Sequence, residues 1–282
     1  MALLTGILLA LVCAVVWAVS EFVTKLSLDR EEKWKVLFHA QLFGGLIALA
    51  LIPDKARITS VFSFAGWYLL LLGALNALGM YFLYRSVKAK GIALTSPINN
   101  ASAVITVILG VLFYKESPTL LQWLAMALIM GSILALTLRK EGKMAMDKEF
   151  SFSAAAMGIW GVFIFLMKQP SIIFGPLLFV AGIKLLTACF SVPALIRKKM
   201  KVWNLKRHVL LLVILLGLVD GGGFLALSAA MAQAPVSIVS VIASASPALS
   251  VLLGVLILKE KLDRRQTLGI LGAIFGILLI AL

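Results

Sequence analysis

Two carboxylates, Glu21 and Asp220, lie within long apolar stretches of the sequence. A charge at the centre of a lipid bilayer costs at least about 2.5 kcal/mol, so a carboxylate placed there is a candidate for function. Glu21 lies one helical turn from both Trp17 and Lys25, which puts the three side chains on one face of a helix. There Glu21 would alternately hold a proton and a cationic or amine substrate, with Trp17 as a cation–π wall. The alternative is that Glu21 lies near the helix end, pairs with Lys25 and extends to the membrane surface.

Asp220 begins an Asp-Gly-Gly-Gly run, whose glycines permit a bend or the close approach of another helix or a ligand. Lys184 is the one base placed deep within an apolar stretch, and isolated buried charges are costly, so it is the expected partner of Asp220. A structural ion pair is one interpretation. A pair that breaks and re-forms during a functional cycle is the other.

Further candidates are polar or aromatic side chains in apolar surroundings. Asn99 and Asn100 follow Pro97, which frees a backbone carbonyl, and they point about 100° apart, so only one is expected to face a cavity. The other is expected to bond to a neighbouring helix. His39 is a candidate proton relay with Glu21, or an interfacial histidine in contact with water. The remaining candidates, for which helix packing or an interfacial position is the alternative, are Asn76, Tyr81, Tyr84, Trp160 and Ser244.

The elements that must hold these residues are membrane helices. Hydrophobic residues make up 62% of the 282-residue chain and charged residues 13%, with a mean hydropathy of +1.08, which excludes a soluble domain. A spanning helix needs about 20 apolar residues. Ten stretches approach this length, at about 3–24, 36–52, 64–84, 91–113, 118–138, 152–168, 172–196, 209–231, 235–258 and 265–282.

The chain contains an internal repeat. Residues 73–138 and 217–282 align without a gap at an offset of 144, with 19 identities in 66 positions, and this pairs Asn76 with Asp220. Each half also opens with Trp-x7-Lys. The predicted units are a first repeat at residues 1–140, a cytoplasmic linker at 141–151 and a second repeat at 152–282.

Basic residues predict the orientation. If the loop after the first helix is on side B, that side collects 21 of the 26 Lys and Arg residues, whereas side A has Lys55, Arg57, Lys115 and Lys168. Side B is therefore expected to be cytoplasmic, with both termini outside. This bias accounts for the net charge of +14 without a nucleic-acid partner. Because five helices per half is an odd number, the halves should insert in opposite directions. The predicted fold is an all-α integral membrane protein with ten transmembrane helices as two inverted five-helix repeats (5+5).

Three repeated motifs carry a resemblance to a known family. These are Trp-x7-Lys, the run Gly-Val-Leu-x-x-Lys-Glu at 110–116 and 254–260, and a closing helix introduced by Gln122 or Gln266. Together they resemble the ten-helix EamA-type members of the drug/metabolite transporter superfamily. The resemblance implies a cavity lined by helices 1–4 and 6–9, with helices 5 and 10 outside. Glu21 departs from the family pattern, and its counterpart in the second half is Ile164.

The expected function is secondary active transport of a small polar or amine-type metabolite, such as an amino acid, by alternating access at the cytoplasmic membrane. Export is favoured, and coupling to protons or exchange is expected. Alternatives are a passive facilitator or channel, a carrier of choline-like cations or drugs, and an intramembrane enzyme or lipid flippase. No enzyme, cofactor or metal motif occurs in the sequence. The expected partners are the substrate and the lipid bilayer, and a monomer is favoured. A stripe of Gly269, Gly272 and Gly276 would serve the fold or a dimer seam.

Overall fold

The computed structural model describes residues 1–54, 58–59, 65–90, 92–137, 148–249 and 264–280, and no strand occurs among them. The helices are α1 (Ala2–Leu28), α2 (Lys33–Ala50), α3 (Ala65–Lys90), α4 (Ile92–Asn100), α5 (Ser102–Phe113), α6 (Leu120–Thr137), α7 (Lys148–Ile173), α8 (Pro176–Arg197), α9 (Arg207–Met231), α10 (Val236–Ala243) and α11 (Arg264–Ile280). The predicted linker residues 141–147 and the end of the ninth stretch lie outside the described residues.

Within the described part of the chain, five helices, α1, α3, α7, α8 and α9, are long and apolar enough to cross a membrane. Among the described residues, shorter apolar helical segments occupy Leu120–Ile133 and Thr267–Leu279, and also Ile98–Phe113 and Val236–Leu249, each of which contains a short break. Several helices extend beyond the apolar stretches that predicted them. For example, α3 continues to Lys90 and α7 begins at Lys148. The charged side chains at these helix ends can reach water beyond the hydrocarbon core, so the helix can extend past the apolar stretch.

Two of the predicted continuous helices are interrupted. The stretch 91–113 breaks at Ala101 between α4 and α5, and the stretch 235–258 breaks at Ser244 and Ala245, after which residues 246–249 are helical again. At the first break, the Asn100 side chain donates to the Ser96 carbonyl at 2.9 Å and competes with the backbone for that acceptor. At the second, Pro247 has no N–H to continue the helix.

The helices pack mainly across the two halves of the chain. α1 lies against α9, α2 against α8 and α9, and α3 against α7 and α8. In the repeat, α1, α2 and α3 correspond to α7, α8 and α9. The contact of α1 with α9 therefore corresponds to that of α7 with α3, and the contact of α2 with α9 corresponds to that of α8 with α3. α6 and α11 pack on each other, and a Cβ on Gly276 would stand 2.6 Å from Ile129 Cγ1. The glycine stripe of α11 therefore serves contact with α6.

Candidate functional site

A cavity of about 80 Å³ lies between the two halves, where α1, α3, α4, α7, α9, α10 and the start of α5 meet. A volume of this size holds a few water molecules. Eight of the thirteen residues predicted for the site line it: Trp17, Glu21, Tyr84, Asn99, Asn100, Trp160, Asp220 and Ser244. The others, Lys25, His39, Asn76, Tyr81 and Lys184, do not.

Glu21 lies at the centre of a hydrogen-bond network in this cavity. Its Oε1 accepts from Ser96 Oγ at 2.6 Å, Ser246 Oγ at 3.2 Å and Asn100 Nδ2 at 3.4 Å. Ser246 Oγ also approaches Asn100 Oδ1 at 3.4 Å. Hydroxyl and amide donors stabilise the charged form of a carboxylate and would be exchanged if the carboxyl took up a proton or bound a cation. Glu21 is therefore coupled to both interrupted helices.

The two helix interruptions occupy equivalent positions in the repeat. Ala101 and Ala245 correspond at the offset of 144, and they are followed by Ser102 and Ser246, which both line the cavity. Interruptions turn backbone and small polar groups toward a cavity, and membrane proteins tolerate them where they are buried in protein or line water. Paired interruptions in two halves are the sequence and structural sign of a binding site in secondary transporters.

Aromatic rings form the apolar wall of the cavity. Phe224 lies edge-on to Trp17 with ring centroids 5.4 Å apart, and its centroid is 5.8 Å from that of Trp160. Each tryptophan packs on a glycine of the other half: a methyl on Gly223 would overlap the Trp17 ring, and one on Gly79 would stand 3.2 Å from the Trp160 ring. These glycines occupy equivalent repeat positions, which explains part of the Asp220 glycine run.

Several buried polar atoms that line this cavity have no hydrogen-bond partner within the described part of the chain. They are the indole nitrogens of Trp17 and Trp160 and the side-chain oxygen of Asn99. Buried donors and acceptors normally find partners, so atoms of this kind in a cavity are available to water or a ligand. Both indole nitrogens lie against glycines of the opposite half, Gly223 and Gly79, so among the described residues the Asn99 oxygen is the unpaired acceptor beside the Glu21 network.

A buried charged cluster lies behind the wall. Lys184 Nζ is 2.6 Å from Asp220 Oδ2 and donates to Gln41 Oε1 at 3.3 Å, while Gln41 Nε2 donates to Asp220 Oδ2 at 3.2 Å. Lys184 is fully buried, and its Nζ also lies 4.8 Å from the centroid of Phe224. Asp220 reaches the cavity and Lys184 does not. The cluster connects α2, α8 and α9 to the aromatic wall.

The predicted residues outside the cavity have other surroundings. Lys25 keeps the helical spacing from Trp17 and Glu21 on α1, but it is exposed and does not line the cavity. His39 is buried, and its ring centroid lies 5.2 Å from that of Trp203 in the loop between α8 and α9. Its Nδ1 lies 2.8 Å from the Lys35 carbonyl, and it does not line the cavity with Glu21.

Asn76 and Tyr81 are held by contacts between helices. The buried Asn76 donates to Thr187 Oγ1 at 2.7 Å and joins α3 to α8. Tyr81 stacks on Trp34 with centroids 5.0 Å apart and accepts from Arg85 Nη1 at 3.0 Å. Both residues therefore pack the bundle that surrounds the cavity.

Some lining residues were absent from the predicted site: Ser20, Thr24, Met80, Leu83, Ser96, Ser102, Ile164, Phe224, Leu227, Ser240, Ala243 and Ser246. The serines at 96, 102, 240 and 246 carry a usable signal, since they recur at the repeat offset. The apolar members are of the same types as lipid-facing side chains and give no such signal. Within the described segments, no group of three or more His, Cys, Asp or Glu side chains forms a metal site, and Cys13 and Cys189 are free.

Comparison with known proteins agrees with this arrangement. The EamA-like transporter family matches the chain twice, at residues 4–138 and 149–282. A riboflavin transporter of Rhizobium johnstonii is 28% identical over 148 residues, which cover 49% of this chain and 46% of that protein. The match thus spans less than half of that relative. An uncharacterized protein of Methanocaldococcus jannaschii is 26% identical over 136 residues, which cover 48% of this chain and 97% of that protein.

A solved crystal structure of another protein superposes with a TM-score of 0.81 at 18% identity, covering 97% of this chain and 95% of that one. At this identity the likeness shows the fold alone. The double family match confirms the resemblance carried by the repeated motifs. The chain belongs to the EamA-like transporter family of the drug/metabolite transporter superfamily and is a multi-pass membrane protein with a two-repeat architecture.

Proposed function

We propose that the chain is a secondary active transporter that moves a small polar or amine-type metabolite across the cytoplasmic membrane by alternating access. The observation that carries this proposal is the meeting of the two interrupted helices at the Glu21 carboxylate, inside a cavity between the halves. A carboxylate bound by exchangeable hydroxyl and amide donors suits a substrate ammonium or a proton. The ten-helix topology with inverted halves, residues 1–140 and 152–282, and with both termini outside forms part of the proposal.

The chemistry of the cavity assigns a role to each group. Glu21 binds the amine or the proton, and the two are mutually exclusive on one carboxylate, which gives exchange. Trp17, Trp160 and Phe224 cover the apolar part of the substrate, and the unpaired side-chain oxygen of Asn99 accepts from its polar end. The Lys184–Asp220 pair holds the wall that carries Phe224.

Transport into proteoliposomes under an imposed pH gradient tests this proposal. The substrate panel contains amino acids, choline-like cations and polyamines. The native protein is expected to accumulate one class, and Glu21→Gln should abolish accumulation while leaving the protein folded. Glu31→Gln is the matched control, since Glu31 pairs with Lys35 at 3.4 Å outside the cavity. Flux without accumulation would show a passive facilitator instead, and accumulation that survives Glu21→Gln would remove Glu21 from the coupling step.

A second substrate class is favoured by the aromatic wall. Three aromatic rings in one cavity suit a planar heteroaromatic compound, and one relative is a riboflavin transporter. Riboflavin therefore joins the panel. If riboflavin accumulates in both the native protein and Glu21→Gln, the aromatic rings and not the carboxylate recognise it.

A further inference from the structure

A second polar cluster joins the two halves outside the cavity. Glu116, in the loop between α5 and α6, accepts the backbone N–H of Val236 on Oε1 at 2.7 Å and that of Ser237 on Oε2 at 2.9 Å. Lys168, near the end of α7, donates to the same Oε1 at 2.9 Å. The side chain of Glu116 is 8% exposed. This cluster of Glu116, Lys168, Val236 and Ser237 is called the Glu116 latch.

The Glu116 latch accepts hydrogen bonds from backbone N–H groups in the first turn of α10. The first N–H groups of a helix have no partner within the helix, and a carboxylate there both accepts their hydrogen bonds and complements the helix dipole. The N-cap residue of α10, Pro235, makes no side-chain cap. Glu116 therefore supplies from the first half what α10 of the second half lacks.

The repeated motif Gly-Val-Leu-x-x-Lys-Glu builds this contact. A Cβ on Gly110 would stand 2.9 Å from Val236 Cγ1 and 3.0 Å from Glu116 Oε2, so the glycine makes room for both. Lys115 has φ of 53°, in the left-handed region, and this turns the chain so that Glu116 points back toward Gly110. The Lys of the second Trp-x7-Lys motif is Lys168, which completes the cluster.

The latch lies one helical turn beyond the cavity on two helices. On α7, Ile164 lines the cavity and Lys168 follows four residues later; on α10, Ser240 lines it and Val236 precedes it by four. A charged contact at this position ties α7, α10 and the α5–α6 loop together at one end of the cavity. Separation of these elements at that end would break the contact.

The opposite end of the cavity differs. Lys25, the repeat counterpart of Lys168, lies one turn beyond Glu21 on α1, is exposed, and takes part in no ion pair among the described residues. Its expected partner by the repeat, Glu260, lies outside the described residues. At the two ends, the equivalent lysines thus differ in exposure, since the side chain of Lys168 is 17% exposed.

We infer that the Glu116 latch is a gate that holds the cavity closed on the side of the α5–α6 loop, and that it must open for substrate to pass on that side. The inference rests on the proposed carrier function, but its readout needs no substrate. Loss of the latch is expected to shift the carrier toward the state open to that side. Glu116 and Lys168 act by positioning α10 and α7, without touching the substrate.

Cysteine labelling measures this state directly. Ser240→Cys, in a background carrying Cys13→Ala and Cys189→Ala, places one thiol in the cavity just inside the latch. A membrane-impermeant methanethiosulfonate is applied to sealed vesicles from each side in turn. Glu116→Gln should raise labelling from the side of the α5–α6 loop by about tenfold or more, the effect expected for loss of a charge-assisted hydrogen bond.

Glu32→Gln is the matched control. Glu32 accepts the Trp34 N–H at 2.6 Å at the start of α2 and pairs with Lys198 at 3.1 Å. Like Glu116, it caps a helix and pairs with a lysine, but it does not lie at the cavity. Its loss should leave labelling unchanged. The charge-swapped pair Glu116→Lys with Lys168→Glu should not restore slow labelling, because an ammonium cannot accept the N–H groups of α10.

Each outcome decides the inference. Unchanged labelling in a Glu116→Gln protein that elutes as a single folded species overturns it. Full restoration by the charge swap would support the gate but assign it to the ion pair instead of the cap of α10. If Glu116→Gln fails to fold, Lys168→Gln, which leaves the cap intact, takes its place and should still raise labelling severalfold. If Glu116→Gln raises labelling but the protein shows no flux, only the carrier function is refuted. If flux depends on Glu21 but Glu116→Gln leaves labelling unchanged, only the gate is refuted.

Discussion

The buried pair of Lys184 and Asp220 allows a structural role to be separated from a functional one. Two unit charges 2.6 Å apart attract each other by about 6 kcal/mol at an effective dielectric constant near 20. Asp220→Asn removes this attraction while keeping the shape of the side chain. Among the described residues, the ammonium of Lys184 is then left with neutral partners, including Gln41 Oε1 at 3.3 Å and the Phe224 ring at 4.8 Å. The expected loss in free energy of unfolding is about 3–5 kcal/mol.

The double variant Lys184→Met with Asp220→Leu removes both charges together. Apolar replacement of a whole buried ion pair is often neutral or stabilising, so most of the loss in Asp220→Asn should be recovered. Unfolding by SDS in mixed micelles, followed by far-UV circular dichroism, measures both variants. Flux in proteoliposomes then separates the roles: a folded double variant that transports shows a structural pair, and a folded one that does not shows that the charges are used.

Two results would refute the reasoning. A loss below about 1 kcal/mol in Asp220→Asn would mean that water or another charge reaches Lys184, since exposed pairs contribute in that range. A double variant as unstable as the single one would show that the pair is not compensating two buried charges.

Three further predictions concern packing and pH. Gly217→Ala should lose about 1–3 kcal/mol, because its Cβ would stand 2.6 Å from a carbonyl of α2, whereas Gly158→Ala, with open space around it, should gain up to about 1 kcal/mol in the same SDS titration. Burial, the largest single effect, raises the pKa of Glu116, but the hydrogen bonds from α10 and from Lys168 together lower it. The ratio of labelling in Glu116→Gln to labelling with the latch intact, in which the pH dependence of the reporter thiol cancels, should therefore stay constant from pH 8 to about 5. It should fall only as pH drops through a pKa below the usual value near 4.3, and a fall near pH 6 would contradict this. Asn76→Ala should cost about 1 kcal/mol by losing its 2.7 Å bond to α8, with an unchanged KM for transport.

Hydropathy was sufficient to locate most helices, because each apolar stretch of about 20 residues can satisfy its backbone only as a helix in lipid. It did not reveal the interruptions at Ala101 and at Ser244 to Ala245. The first depends on the side-chain bond of Asn100 to the Ser96 carbonyl, a local competition that composition does not show. The ends of helices such as α3 were also missed, since their polar residues leave the apolar pattern.

For the site, intramembrane charge pointed to Glu21 and Asp220, and both line the cavity. The sequence also showed that Trp and Lys recur in each half. It did not show that Trp17 packs on Gly223 and that Lys168 pairs with Glu116, because such contacts join residues of opposite halves. A repeat reveals which residues are equivalent, whereas their partners are set by how the halves face each other.

The crossing of partners between the halves also constrains how the protein is made. Glu21 and Ser246, which share a hydrogen bond, are 225 residues apart in the chain. A ribosome adding about 5–20 residues per second needs roughly 10–45 s to synthesise that interval. For this time the first helix is in the membrane without its partners from the second half. Its carboxyl group must then be protonated, kept at the lipid surface or sheltered by the insertion machinery until α9 and α10 arrive.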